Sequence, residues 1–159
     1  MMRKTLFMET TAVPVERTVG EVSSELIRAG ATQIAQSFAN GKITGIRWTM
    51  LVQGIDALFE LPARIDPVFA IINGRRKSSW DRTQKAADDR AQSERVAWRQ
   101  LLRWVQAQNA MIETGMVQPM EVFTAYWIPP GQDPGNERTL FQNLIERQFK
   151  ALPAPQEKQ

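Results

Sequence analysis

Two residue types that carry much of protein chemistry are missing from this chain: it has no cysteine and no histidine among its 159 residues. Without cysteine there are no disulfides, no thiolate nucleophile and no cysteine-ligated zinc, which fits a reducing compartment. Without histidine the commonest acid–base group near neutral pH is gone, and with it Ser-His-Asp triads, Cys-His pairs and His-metal sites. Carboxylates remain as possible magnesium ligands, but Asp81, Asp88, Asp89 and Glu94 do not converge on one helical face, and each has a basic neighbour three or four residues away. Glycine-rich phosphate loops, Walker patterns and dinucleotide fingerprints are also absent. No catalytic residue, metal or cofactor is expected, and the chain reads as a non-enzyme. No apolar run approaches the ~20 residues of a membrane span, and the N-terminus turns acidic too soon for a secretory signal. A cytoplasmic protein with no membrane partner is the expectation.

What is present is enough hydrophobic sequence, 43%, for one core. The charge is segregated. Residues 1–74 hold seven cations and seven anions, residues 75–103 nine against four, and residues 104–159 four against six, so one central segment carries an excess of +5. Concentrated positive charge of this kind suits a polyanion-binding surface, although a solvated surface gives the same pattern.

The periodicities predict an α+β fold: a three-stranded antiparallel meander packed on helices, with one long central helix. Residues 1–17 lack periodicity and read as an extended N-terminal arm ahead of an α+β domain at 18–128. Thr18 and Glu21 have capping-box spacing, and Val19, Val22 and Leu26 share a face before Gly30 ends the first helix. Alternation through Ile34, Gln36 and Phe38 leads to Asn40-Gly41, a type I′ hairpin signal. Ile46, Trp48, Met50 and Val52 share the core face of the second strand. Gln53-Gly54 makes the next turn, and Ala57, Phe59 and Leu61 continue the pattern to Pro62. Asp66-Pro67 reads as the cap and first residue of a short helix closed by Asn73-Gly74. From Ser79 to Glu113 no glycine or proline intervenes, which gives a helix of ~50 Å at 1.5 Å per residue. That exceeds the body expected for this chain, so the helix is expected either to bend near residues 88–93 or to rest its charged first half on another chain. Its second half is apolar through Ala97, Trp98, Leu101, Leu102, Val105, Met111 and Ile112. A short helix runs from Pro119 to Trp127, a Pro/Gly linker spans 129–138, a C-terminal helix 139–150 follows Thr139, and 151–159 reads as a disordered tail.

Three constellations are candidates for binding. Arg75, Arg76, Lys77, Arg82 and Lys85 surround Trp80, a combination in which cations neutralise phosphates and an indole stacks on a base. Arg95, Arg99 and Arg103 recur one turn apart, as a track along a phosphate backbone would, or as the wet side of a helix whose dry side holds Trp98 and Leu102. Arg47 lies on the middle strand, where pairing with Asp56 or Glu60 is the preferred reading. Of the five tryptophans, Trp48 and Trp98 are expected in the core, and Trp80, Trp104 and Trp127 are candidates for partner-facing anchors.

The run from Glu94 to Val105, with Ile112–Met116 and Glu121–Phe123, resembles a group of small, uncharacterised phage- and prophage-encoded proteins from about Val19 onwards. The resemblance implies a phage-type protein acting in a host cell's cytoplasm and brings no activity with it. The order helix, meander, helices is similar to the core of ring-forming single-strand annealing proteins, a likeness of fold alone. Two functions follow as expectations. The first is an oligomeric nucleic-acid-binding protein, holding single-stranded DNA through Arg75, Arg76, Lys77, Trp80, Arg82, Lys85, Arg95, Arg99 and Arg103. The second is an adaptor or inhibitor that meets a host protein through the long helix and exposed tryptophans.

Overall fold

The computed structural model describes residues 5–148; the predicted tail 151–159 and the last residues of the predicted C-terminal helix lie outside them. Helix α1 spans Val15–Arg28, strands β1, β2 and β3 span Ala31–Ala39, Lys42–Val52 and Ile55–Pro62, and helices α2 and α3 span Ile65–Gly74 and Ser79–Glu113. Helix α4, Pro119–Phe123, leads through a 3₁₀ turn at Thr124–Tyr126 into strand β4, Trp127–Ile128, and α5 closes the described chain at Leu140–Glu146.

The fold is α+β, but the sheet has four strands and not three. It is antiparallel throughout, in the order β1-β2-β3-β4. The added strand pairs Leu58 with Ile128 and Phe59 with Trp127, so Trp127 is a strand residue and does not extend the preceding helix. Both hairpins form on the expected residues. Asn40 and Gly41 take φ of 51° and 73°, and Gln53 and Gly54 take 51° and 81°, the left-handed pairs that a two-residue turn between twisted strands requires.

Alternation places Ile46, Trp48 and Met50 of β2 and Ala57, Phe59 and Leu61 of β3 on one face, all buried. Val19, Val22 and Leu26 of α1, Trp98, Leu102 and Val105 of α3, and Phe123 of α4 complete the core. Its centre is aromatic: Trp48 stacks on Phe59 at 5.2 Å between centroids, and Phe123 meets Trp48 edge-on at 5.4 Å. On the opposite face Arg47 bonds Glu60 at 3.2 Å and reaches Glu137 of the linker at 3.5 Å, which settles its charge within the chain.

Helix α1 begins one turn earlier than its capping-box spacing suggests. Pro14 occupies the position before the first turn, where its missing N–H costs nothing, and Thr18 is buried inside the helix with its hydroxyl donating to the Pro14 carbonyl. In α2, Asp66 likewise sits within the first turn and pairs with Arg90 at 2.5 Å instead of capping. Thr139 does cap α5, in a reciprocal capping box with Gln142.

Helix α3 runs its full 35 residues without a break at 88–93. Within the chain, α2 packs alongside the first half of α3 and supports it. Arg90 lies 5.5 Å over the Phe69 ring, and Asn73 and Arg76 both reach Asp89. Phe69 is therefore half-buried against α3 and lies outside the core under the sheet. Replacement of the fully buried Phe59 by alanine removes the stacking partner of Trp48 and is expected to cost about 3–5 kcal/mol, measured as a lowered urea midpoint at unchanged slope.

Candidate nucleic-acid interface

Asn73 and Gly74 end α2, and four residues later Ser78 starts α3 by accepting the Asp81 amide on its hydroxyl at 3.1 Å. Asp81 in the first turn complements the helix dipole. The loop between, Arg75 to Lys77, is the most basic stretch of the chain.

Its three cations do different things. Arg76 reaches across the junction and clamps Asp89 in two-pronged fashion, Nε to Oδ2 at 3.1 Å and Nη2 to Oδ1 at 2.6 Å. Asp89 is only 3% exposed, and the Asn73 amide donates to it as well, at 3.1 Å. The Arg76 guanidinium, helped by Asn73 and opposed by burial, holds the Asp89 carboxyl below its ordinary range, and the Asp89 carboxylate raises the pKa of Arg76 in turn. Arg75 bonds Glu9 of the N-terminal segment at 2.6 Å, and Gln92 of α3 holds the same segment through the carbonyls of Glu9 and Thr11 at 2.7 and 3.0 Å. Lys77 is exposed and has neither hydrogen bond nor ion pair among the described residues.

The first turns of α3 then present Trp80, 72% exposed, and Lys85, exposed and free of hydrogen bonds and ion pairs among the described residues. Arg82 is half-buried and donates to the Arg76 carbonyl at 3.4 Å. Beside this surface lies a cleft of about 460 Å³ lined by Thr5, Glu9, Ile72, Arg75, Arg76, Lys77 and Asp81.

The three-arginine stripe does not form a track. Arg95 is half-buried and donates to Gln92, Arg99 is buried against Glu21 of α1 at 2.7 Å, and only Arg103 is exposed, donating to Gln106 at 2.9 Å. Helix α1 covers the middle of the stripe, where Arg99 ties α3 to α1 through Glu21, while Arg95 and Arg103 bond glutamines of α3 itself. Trp104 and Trp127 are half-buried too, Trp104 lying edge-on to Phe123 and Tyr126, which leaves Trp80 as the exposed indole among the five.

Asp89, Asn73, Glu9 and Gln92 position the surface through contacts that escaped the sequence reasoning. Arg76 meets Asp89 across 13 residues and Gln92 meets Glu9 across 83, separations at which no local spacing pattern operates. Among the described residues no group of three or more acidic side chains could hold a metal ion, and no helix is long and apolar enough to cross a membrane. Comparison with known proteins gave no matching family model, curated protein or solved structure.

Two predictions separate the structural cations from the free ones. Arg76→Ala strands a buried carboxylate and is expected to lower Tm by several degrees. Lys77→Ala and Lys85→Ala are expected to change stability by no more than about 0.5 kcal/mol, all measured by thermal melts at neutral pH. The second prediction concerns acid. Because the folded-state pKa of Asp89 is depressed, its stabilisation is complete above the ordinary carboxylate value and is lost as pH falls through the lowered one. Urea melts between about pH 7 and about pH 2 are expected to show Asp89→Asn losing less stability on acidification than the parent.

Proposed function

We propose that this chain is a non-enzymatic, phage-type nucleic-acid-binding protein that holds a single strand at the start of α3. Trp80 stacks on a base, and Lys77, Arg82 and Lys85 neutralise the phosphates on either side of it. The exposure of Trp80 carries this reading: an indole 72% open to water, beside two exposed lysines that form no ion pair among the described residues, combines the two contacts by which single strands are held without sequence preference. Every nucleobase offers a π-face, so stacking supplies affinity without readout of sequence. Arg75 and Arg76 line the adjoining cleft, but their primary partners are Glu9 and Asp89, so they shape the surface more than they contribute free charge.

The competing reading is that Trp80, together with the exposed Ile71 of α2, anchors a host protein. The two differ in what an aromatic ligand does. Oligonucleotides are expected to quench the tryptophan fluorescence, and a non-aromatic polyanion of equal charge is not.

Trp80→Ala is expected to weaken binding of single-stranded DNA roughly 5- to 150-fold, the equivalent of about 1–3 kcal/mol of stacking, with most of the salt dependence intact. The double variant Lys77→Ala/Lys85→Ala is expected to do the reverse, flattening the slope of log affinity against log salt by about 1.4 as roughly two fewer phosphates are neutralised. Circular dichroism establishes that both are folded. If the folded variants bind single-stranded DNA and RNA as tightly as the parent does, the surface is merely solvated and the protein-binding reading takes over.

A further inference from the structure

Strand β1 lies at the edge of the sheet, and no described element pairs with its outer side. Its nine residues, Ala-Thr-Gln-Ile-Ala-Gln-Ser-Phe-Ala, include no charge, no proline and no glycine. An edge strand of that length presents a row of unpaired amides and carbonyls, and folded proteins normally protect such a row with lysine, proline or a covering element. The other two long strands carry charge: Lys42 and Arg47 in β2, Asp56 and Glu60 in β3. Of the three long strands, only the one with the open edge is free of it.

Irregularities bound the usable part of this edge. Thr32 is an extra residue in β1, and Thr44 is an extra residue in β2 opposite Ser37 and Phe38. Between them Gln33 to Ser37 pair without interruption, with Ala35 at the centre. The far side of the sheet offers no equivalent edge. There β4 is two residues long and runs directly into Pro129 and Pro130, neither of which has an amide to donate.

We propose that β1 pairs with β1 of a second copy of this chain, antiparallel, about a two-fold axis at Ala35, joining two four-stranded sheets into one of eight strands. With one usable edge per molecule the contact is isologous, so it closes as a dimer and does not extend into a filament. The axis sets Ala35 opposite its own copy, Gln33 opposite Ser37 and Ile34 opposite Gln36. Small, aliphatic and amide-bearing side chains meet with no like charges apposed. Phe38, 62% exposed beside the regular segment, adds apolar surface to the same edge. Five paired residues bury less than the roughly 1,200 Å² of a standard interface, so the dimer dissociates on dilution. This interface is independent of the nucleic-acid surface at α3.

The test uses charge at the axis. Ala35 is exposed, so a lysine or a glutamate there leaves the core untouched, while in the dimer it faces an identical charge across the strand pair. The parent, followed by sedimentation equilibrium, is expected to rise with concentration from 18.1 kDa towards twice that mass. Ala35→Lys and Ala35→Glu, each shown folded by circular dichroism, are expected to raise the dissociation constant about 5-fold or more. An equimolar mixture of the two is expected to recover dimers. A parent that stays at 18.1 kDa at its highest soluble concentration overturns the proposal. So does association that neither charge disturbs, or a mixture that associates no better than its components.

Discussion

A carboxylate as deeply buried as Asp89 is stable inside the α2–α3 junction only if a cation and a further donor meet it, and Arg76 from the loop and Asn73 from the end of α2 do so. Much else follows from that contact. It turns the chain sharply between two helices, holds α2 along the first half of a 35-residue helix, and aims the start of that helix outward. Without α2 the charged half of α3 would stand clear of the core that Trp98, Leu102 and Val105 provide for the other half. Trp80, in the first turn of α3 just beyond the clamped loop, stands 72% exposed.

Ion pairing of this kind explains why formal charge overstates the free positive charge of the segment 75–103. Of the nine cations between residues 75 and 103, Arg75, Arg76, Arg90 and Arg99 are in ion pairs with Glu9, Asp89, Asp66 and Glu21. Three of these partners lie outside the basic segment, so acid from elsewhere in the chain is brought to it by folding. Such pairs hold elements together and offer a polyanion little, since binding it would mean breaking them. What remains is small and local, which suits a site in which one stacking residue supplies much of the affinity and a few lysines supply the salt dependence.

Features governed by neighbours in sequence were legible before folding was considered. Asn40-Gly41 and Gln53-Gly54 dictate their turns because few other residue pairs tolerate two left-handed conformations in succession, and the alternation from Ile46 to Leu61 dictates which face is buried. The span of α3 was equally plain from the lack of any breaker. Features that depend on distant residues were not. Strand β4 is two residues whose only reason for being extended is the edge of β3, some seventy positions earlier. The arginine stripe has ideal helical spacing, yet Arg99 is buried because Glu21 of α1 arrives over it. Trp80 was legible as a candidate and its exposure was not, because exposure depends on how α2 and α3 meet.

The central claim is that the start of α3, and Trp80 in particular, is where a single strand is held. Five indole N–H groups give five resolved signals in a ¹⁵N–¹H correlation spectrum, and Trp80→Phe identifies one of them. As a single-stranded oligonucleotide is titrated to saturation, the Trp80 signal is expected to move most, with those of the buried Trp48 and Trp98 nearly unchanged. A Trp80 signal that stays in place while the oligonucleotide binds, or a spectrum that does not change at all, would contradict the account.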